Sequence, residues 1–127
     1  LTEKVVQCQG LNFYGFPYIP PLNGRWNYEL PPALMYQRMN ALVDTLNSQY
    51  IDVLVTHSPA GGILDYCHAQ NQHFGNTALL NALEYKIARD MLPSAILSGH
   101  IHTDYGVTIK NGILFSNAAT IQNIIQI

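Results

Sequence analysis

Apolar positions recur along the chain with two spacings, and these mark its elements. Met35, Met39, Leu42, Val43 and Leu46 lie three or four residues apart. That spacing predicts a helix from residue 34 or 35 to residue 47, with Pro31-Pro32 suited to its first turn. Leu79, Leu80, Leu83, Ile87 and Met91 form the stripe of a second helix over residues 76–91, which Pro93 stops. Residues 51–56 and 94–98 are short, largely apolar runs, as expected of strands buried on both faces of a parallel sheet. Residues 105–109 and 113–116 flank Asn111-Gly112 and read as a hairpin. A short strand is expected near residues 11–14, and residues 121–127 read as a last edge strand.

Two stretches break this pattern. Residues 16–32 carry Pro17, Pro20, Pro21, Asn23 and Gly24 and read as an ordered loop with aromatic anchors. Residues 58–74 are rich in Gly, His, Asn and Gln and read as a functional loop or lid. The order β, loop, α, β, α, β, β, β predicts an α/β fold with an α+β tendency. It is a mixed β-sheet with flanking helices in one domain over residues 1–127, of a kind that can be half of a larger layered domain.

Composition adds one expectation. Apolar residues make up 48% and charged residues 11%, against about a quarter charged in ordinary soluble domains. Part of the surface is therefore expected to be covered by a partner or by further chain. The net charge is −2 and the Lys and Arg residues are scattered, which argues against nucleic acid as a partner. No apolar stretch reaches membrane-spanning length and no signal peptide is visible. A cytoplasmic protein with no membrane partner is expected, with any targeting signal upstream of Leu1. Cys8 and Cys67 lack metal-motif spacing and read as reduced thiols, with a single long-range disulfide as the alternative.

The candidate chemistry lies in three histidines. His57 stands in Thr56-His57-Ser58-Pro59, directly after Val53-Leu54-Val55. His100 and His102 stand in Gly99-His100-Ile101-His102, directly after Ala95-Ile96-Leu97. Both clusters open loops at the ends of expected buried strands, where open α/β sheets bind ligands. Imidazole is the commonest protein metal ligand, and two histidines one residue apart can aim two ring nitrogens into one cleft. His57, His100 and His102 are thus candidate metal ligands; the plainer alternative is three unrelated polar loop residues.

In family order, the stretches Phe13-Tyr14-Gly15-Phe16-Pro17, Asp52-Val53-Leu54-Val55-Thr56-His57-Ser58-Pro59, Gly62-Ile63-Leu64-Asp65, His73-Phe74-Gly75, Ser98-Gly99-His100-Ile101-His102, Tyr105-Gly106 and Phe115-Ser116-Asn117-Ala118-Ala119 run through nearly the whole chain. In these the chain resembles the C-terminal half of calcineurin-like metallophosphoesterases. It is most similar to the branch holding small metallophosphoesterase-domain proteins and class III cyclic-nucleotide phosphodiesterases. The resemblance implies half of a four-layer αββα sandwich and metal-dependent hydrolysis of phosphomono- or phosphodiesters. It implies two divalent ions, manganese, iron or zinc, in the complete enzyme. His57 and His100 match ligands of the second metal, and His102 matches a ligand of the first. Gly99 would let the backbone turn tightly beside the ions. Asn117 matches a residue that fixes the last strands. His73 matches a position of possible substrate contact, while His68 reads as a solvent-exposed loop residue.

The family's other half supplies D-x-H, G-D and G-N-H motifs, and none occurs before His57. Asp44 and Asp52 read as solvated residues of a helix and a strand start. No catalytic residue is therefore expected within this chain, and the site is at best partial. Three readings stay open. The first is the C-terminal half of a phosphoesterase, inactive without its N-terminal half, which would also cover the apolar face. The second is a catalytically dead structural module, and the third a stand-alone three-histidine metal-binding domain.

Overall fold

The computed structural model describes residues 2–22, 24 and 28–126. Strands β1 (Val5–Cys8) and β2 (Leu11–Phe16) form an antiparallel hairpin. Its two-residue turn places Gln9 and Gly10 at φ 53° and 78°, the left-handed pair that matches strand twist. Helix α1 (Pro32–Ser48) leads to β3 (Val53–Thr56), and helix α2 (Thr77–Tyr85) to β6 (Ala95–Ser98). Between β3 and α2 the long loop folds a small hairpin of β4 (Tyr66–Cys67) and β5 (Gln72–His73). Strands β7 (Gly106–Lys110) and β8 (Ile113–Asn117) meet at Asn111-Gly112, with φ 52° and 78°.

Six strands make one sheet in the order β1-β2-β3-β6-β8-β7. β2, β3, β6 and β8 are parallel, and β1 and β7 close the edges antiparallel. The fold class is thus a mixed α/β sheet with two helices. Met35, Met39, Leu42 and Leu46 of α1 and Leu79, Ala82 and Leu83 of α2 pack on Tyr14, Phe16, Leu54, Ile96 and Phe115. Each such aliphatic side chain contributes about 1.5–3 kcal/mol by leaving water.

The register sends the alternate residues to the opposite face. Phe13, Val55, Leu97 and Leu114 lie there half-exposed, beside exposed Val6, Val107 and Ile109 and buried Val53 and Ala95. Among the described residues, no helix covers that face: α1 and α2 both contribute to the cluster on the other side. Both cysteines are free, Cys8 exposed and Cys67 half-buried. Among the described residues no helix is long and apolar enough to cross a membrane.

Several expected boundaries move. Helix α2 ends at Tyr85 rather than Met91, because the Lys86 and Ile87 N–H groups both donate to Ala82 O, at 3.0 and 3.1 Å. Asn47 then holds the chain out of helix: its Nδ2 donates to Lys86 O and its Oδ1 accepts from Ala88 N–H. Ile87 is still buried, so the apolar stripe marked burial correctly and helix length incorrectly. A one-turn 3-10 segment, Arg89–Met91, follows. The last expected strand is absent over residues 118–126, and its Ile127 lies outside the described residues. Asn123 Nδ2 instead pins this tail to Gly106 O, Asn117 O and Ser116 Oγ. Asp52 is not simply solvated: its carboxylate accepts the Asn12 N–H at 2.8 Å and ties β2 to β3.

Buried Asn76 caps α2, its Oδ1 accepting from Ala78 and Leu79 N–H. Asn76→Ala should cost about 1–2 kcal/mol, read as a lowered urea midpoint with an unchanged slope.

Candidate functional site

β3 and β6 are neighbouring parallel strands, so the loops leaving their C-terminal ends emerge side by side. His57 follows β3 directly, and its N–H donates to Phe16 O on β2. The Gly99 N–H donates to His57 O at 3.1 Å, closing the two loops on each other. The His57 and His100 rings then meet edge to face, with centroids 4.9 Å apart and planes at 76°. His100 itself has φ 73°, and the Ile101 N–H donates to Gly99 O at 2.9 Å across it. This is a three-residue turn of the strained, rare hand. Such strain persists only where surrounding contacts enforce it.

Asn117 supplies that enforcement. Its side chain is fully buried at the end of β8. Its amide nitrogen donates to Ile101 O at 2.8 Å, to Asp104 O at 3.0 Å and to Leu64 O at 3.0 Å. Its Oδ1 accepts the Ala119 N–H. Two hydrogens shared over three carbonyls thus hold the His100–His102 loop and the start of the 58–74 lid to one strand end.

The lid has its own polar centre, Asp65, which is fully buried. Its Oδ2 accepts from Gly62 and Gly75 N–H at 2.8 Å each, and its Oδ1 meets His73 Nδ1 at 2.5 Å. A Cβ at Gly75 would sit 2.6 Å from both Ala60 O and Asp65 Oδ2, so only glycine fits. Thr103 and Asp104 bind the Tyr66 backbone from the histidine loop. Asp65 was missed as a structural residue. Its signal lay in the glycines on either side of it, but an aspartate's burial is not legible in a loop.

His57 and His100 are brought together by the fold. His100 and His102 line a common cleft of about 470 Å³, walled by Leu22, Cys67, Phe74 and Thr103. His73 is absent from that wall; it faces Asp65 and the Tyr66 ring. His68 is exposed, with its ring edge to face against Tyr66. Burial, then the neighbouring His57 and His102, push the His100 pKa below its ordinary value, against a smaller opposing effect of Glu29. A neutral imidazole keeps a lone pair for a cation. In donor chemistry and nearness the His57–His100 pair fits part of a metal site. Among the described residues, however, no group of three His, Cys, Asp or Glu side chains is arranged to hold an ion.

Two outcomes follow from this geometry. Asn117→Ala should destabilise the fold by about 2–4 kcal/mol, since it strands buried carbonyls, and should broaden the His100 and His102 imidazole resonances in NMR spectra. The second concerns pH. The unfolded chain protonates His100 near its ordinary value, while the folded chain resists. The unfolded state then holds more protons between that value and the lower folded one. This contribution to stability is full above the ordinary pKa and is lost as pH falls through the window. Urea midpoints should drop as pH falls from about 6.5 toward the lower folded value, and His100→Gln should remove that part of the slope.

No family model matches the chain. It is 31% identical over 121 residues to human and mouse metallophosphoesterase domain-containing protein 1, covering 94% of this chain and 34% of each relative. It is 29% identical over 124 residues to a UPF0046 protein of Caenorhabditis elegans, covering 94% of this chain and 40% of that protein. The chain thus spans a third to two-fifths of the length of the curated relatives it matches. A solved crystal structure superposes with a TM-score of 0.64 at 15% identity, over 93% of this chain and 44% of the other, a likeness of fold alone. The names of the human and mouse relatives indicate the metallophosphoesterase family, whose members generally use divalent metals, and these matches fit the C-terminal half of a metallophosphoesterase.

Proposed function

We propose that this chain is the C-terminal half of a metal-dependent phosphoesterase domain that becomes active when its N-terminal half completes the site. The observation that carries this reading is the edge-on His57–His100 pair, built on the ends of adjacent parallel strands by backbone bonds. In this reading His57 and His100 hold one divalent ion and His102 contributes to a second. Such ions, manganese, iron or zinc, supply positive charge to the phosphoryl oxygens and activate a water for attack. The chain's own part is to present neutral imidazoles, to fix their backbone through Asn117, and to wall the cleft with the lid. The bridging carboxylate and the proton donor to the leaving group belong to the absent half. That half also covers the open sheet face of Phe13, Val55, Leu97 and Leu114. The substrate is a phosphoester outside nucleic acid, in the cytoplasm.

A second reading keeps the fold without the chemistry. It is favoured by the absence of a three-donor group among the described residues. Metal content and turnover separate the two. In the native polypeptide that carries these residues, a model phosphodiester should be hydrolysed in added manganese. His57→Ala or His100→Ala should lower turnover by more than about 100-fold, since losing a mere outer-shell partner already costs 10–100-fold. A well-folded polypeptide with no bound metal and no turnover would sink the phosphoesterase reading.

A further inference from the structure

On the helical side of the sheet, away from the histidine cleft in its lining, lies a larger hollow of about 870 Å³. Its floor is apolar: Ile63 from the lid, Leu83 from α2, and Ile113 and Phe115 from β8. These four are 4–6% exposed, so the hollow reaches core side chains. Its rim is charged and asymmetric. Arg89, in the turn where α2 was expected to continue, and Lys110, at the β7–β8 turn, stand with one acid, Glu84. Among the described residues Arg38 pairs with Glu3 and His73 with Asp65, and neither Arg89 nor Lys110 has an ion-pair partner.

The size lies within the range of small-molecule sites, roughly 300–1,000 Å³, and so does the plan of apolar walls with few polar groups. An uncharged occupant would fill the floor and leave both cations unused. A small hydrophilic anion would use the cations and leave the floor wet. We propose that this hollow binds an amphipathic anion, an apolar body on the floor of Ile63, Leu83, Ile113 and Phe115 with a single carboxylate or phosphate head at the rim that carries Arg89 and Lys110. The site uses none of the histidines, so it stands independently of the phosphoesterase reading.

The test is calorimetric titration of the native polypeptide carrying residues 1–127 with laurate, dodecyl phosphate and uncharged dodecanol. At least one of the two anions should bind, and the better one identifies the head group. Dodecanol should bind at least about tenfold more weakly, as expected when a charge-assisted contact is lost. Arg89→Gln and Lys110→Gln, both at exposed positions, should each weaken anion binding by about tenfold and leave phosphoester turnover unchanged. His57→Ala should leave anion binding unchanged. Methyl shifts at Ile63, Leu83 and Ile113 should locate the ligand. The proposal is overturned if dodecanol binds as tightly as the anions, or if the charge variants have no effect. It is equally overturned if the shifts fall on Leu97 and Leu114 of the open face, or if no anion binds because another part of the polypeptide fills the hollow.

Discussion

A single buried amide governs the shape of the candidate centre. Asn117 sits at the last residue of β8, where a parallel ladder brings it level with Ser98 on β6. From there it reaches carbonyls of two separate loops. Each of these carbonyls would otherwise be turned into a poorly hydrated interior, and a stranded acceptor costs far more than a made bond returns. The loops therefore have one low-energy arrangement, in which Ile101 is drawn inward and His100 is forced through positive φ. The strain at His100 and the satisfaction of Asn117 are two sides of the same constraint.

Asp65 does for the lid what Asn117 does for the histidine loop. Its carboxylate ties the long connection together around the small β4–β5 hairpin, collecting the Gly62 and Gly75 N–H groups from either side of it. The two centres are joined through Leu64 O and through the Thr103 and Asp104 contacts to Tyr66. Lid and histidine loop consequently form one hydrogen-bonded unit.

The two faces of the sheet divide the molecule differently. One face is packed by two helices and holds the core. The other carries a row of half-exposed apolar residues from β2 through β7. Among the described residues the imidazole pair is not part of a group of three His, Cys, Asp or Glu side chains arranged to hold an ion.

The sequence by itself determined the elements whose signal is local and periodic. The α1 stripe, the apolar runs of β3 and β6, and the Asn111-Gly112 turn are each set by spacing or by left-handed backbone preference within a few residues. The strand-end position of His57, His100 and His102 was legible for the same reason. Tertiary structure decided whatever depended on partners distant in the chain. The end of α2 is set by Asn47, 41 residues from Ala88. The tail that looked like a strand is held by one asparagine side chain. Whether Asp52 and Asp65 are solvated or buried depends on backbone N–H groups brought to them from elsewhere. The meeting of His57 with His100 required β3 and β6 to pair in register, a long-range event that no local pattern encodes. Periodicity reports the face an element buries; only the folded chain decides what that face meets.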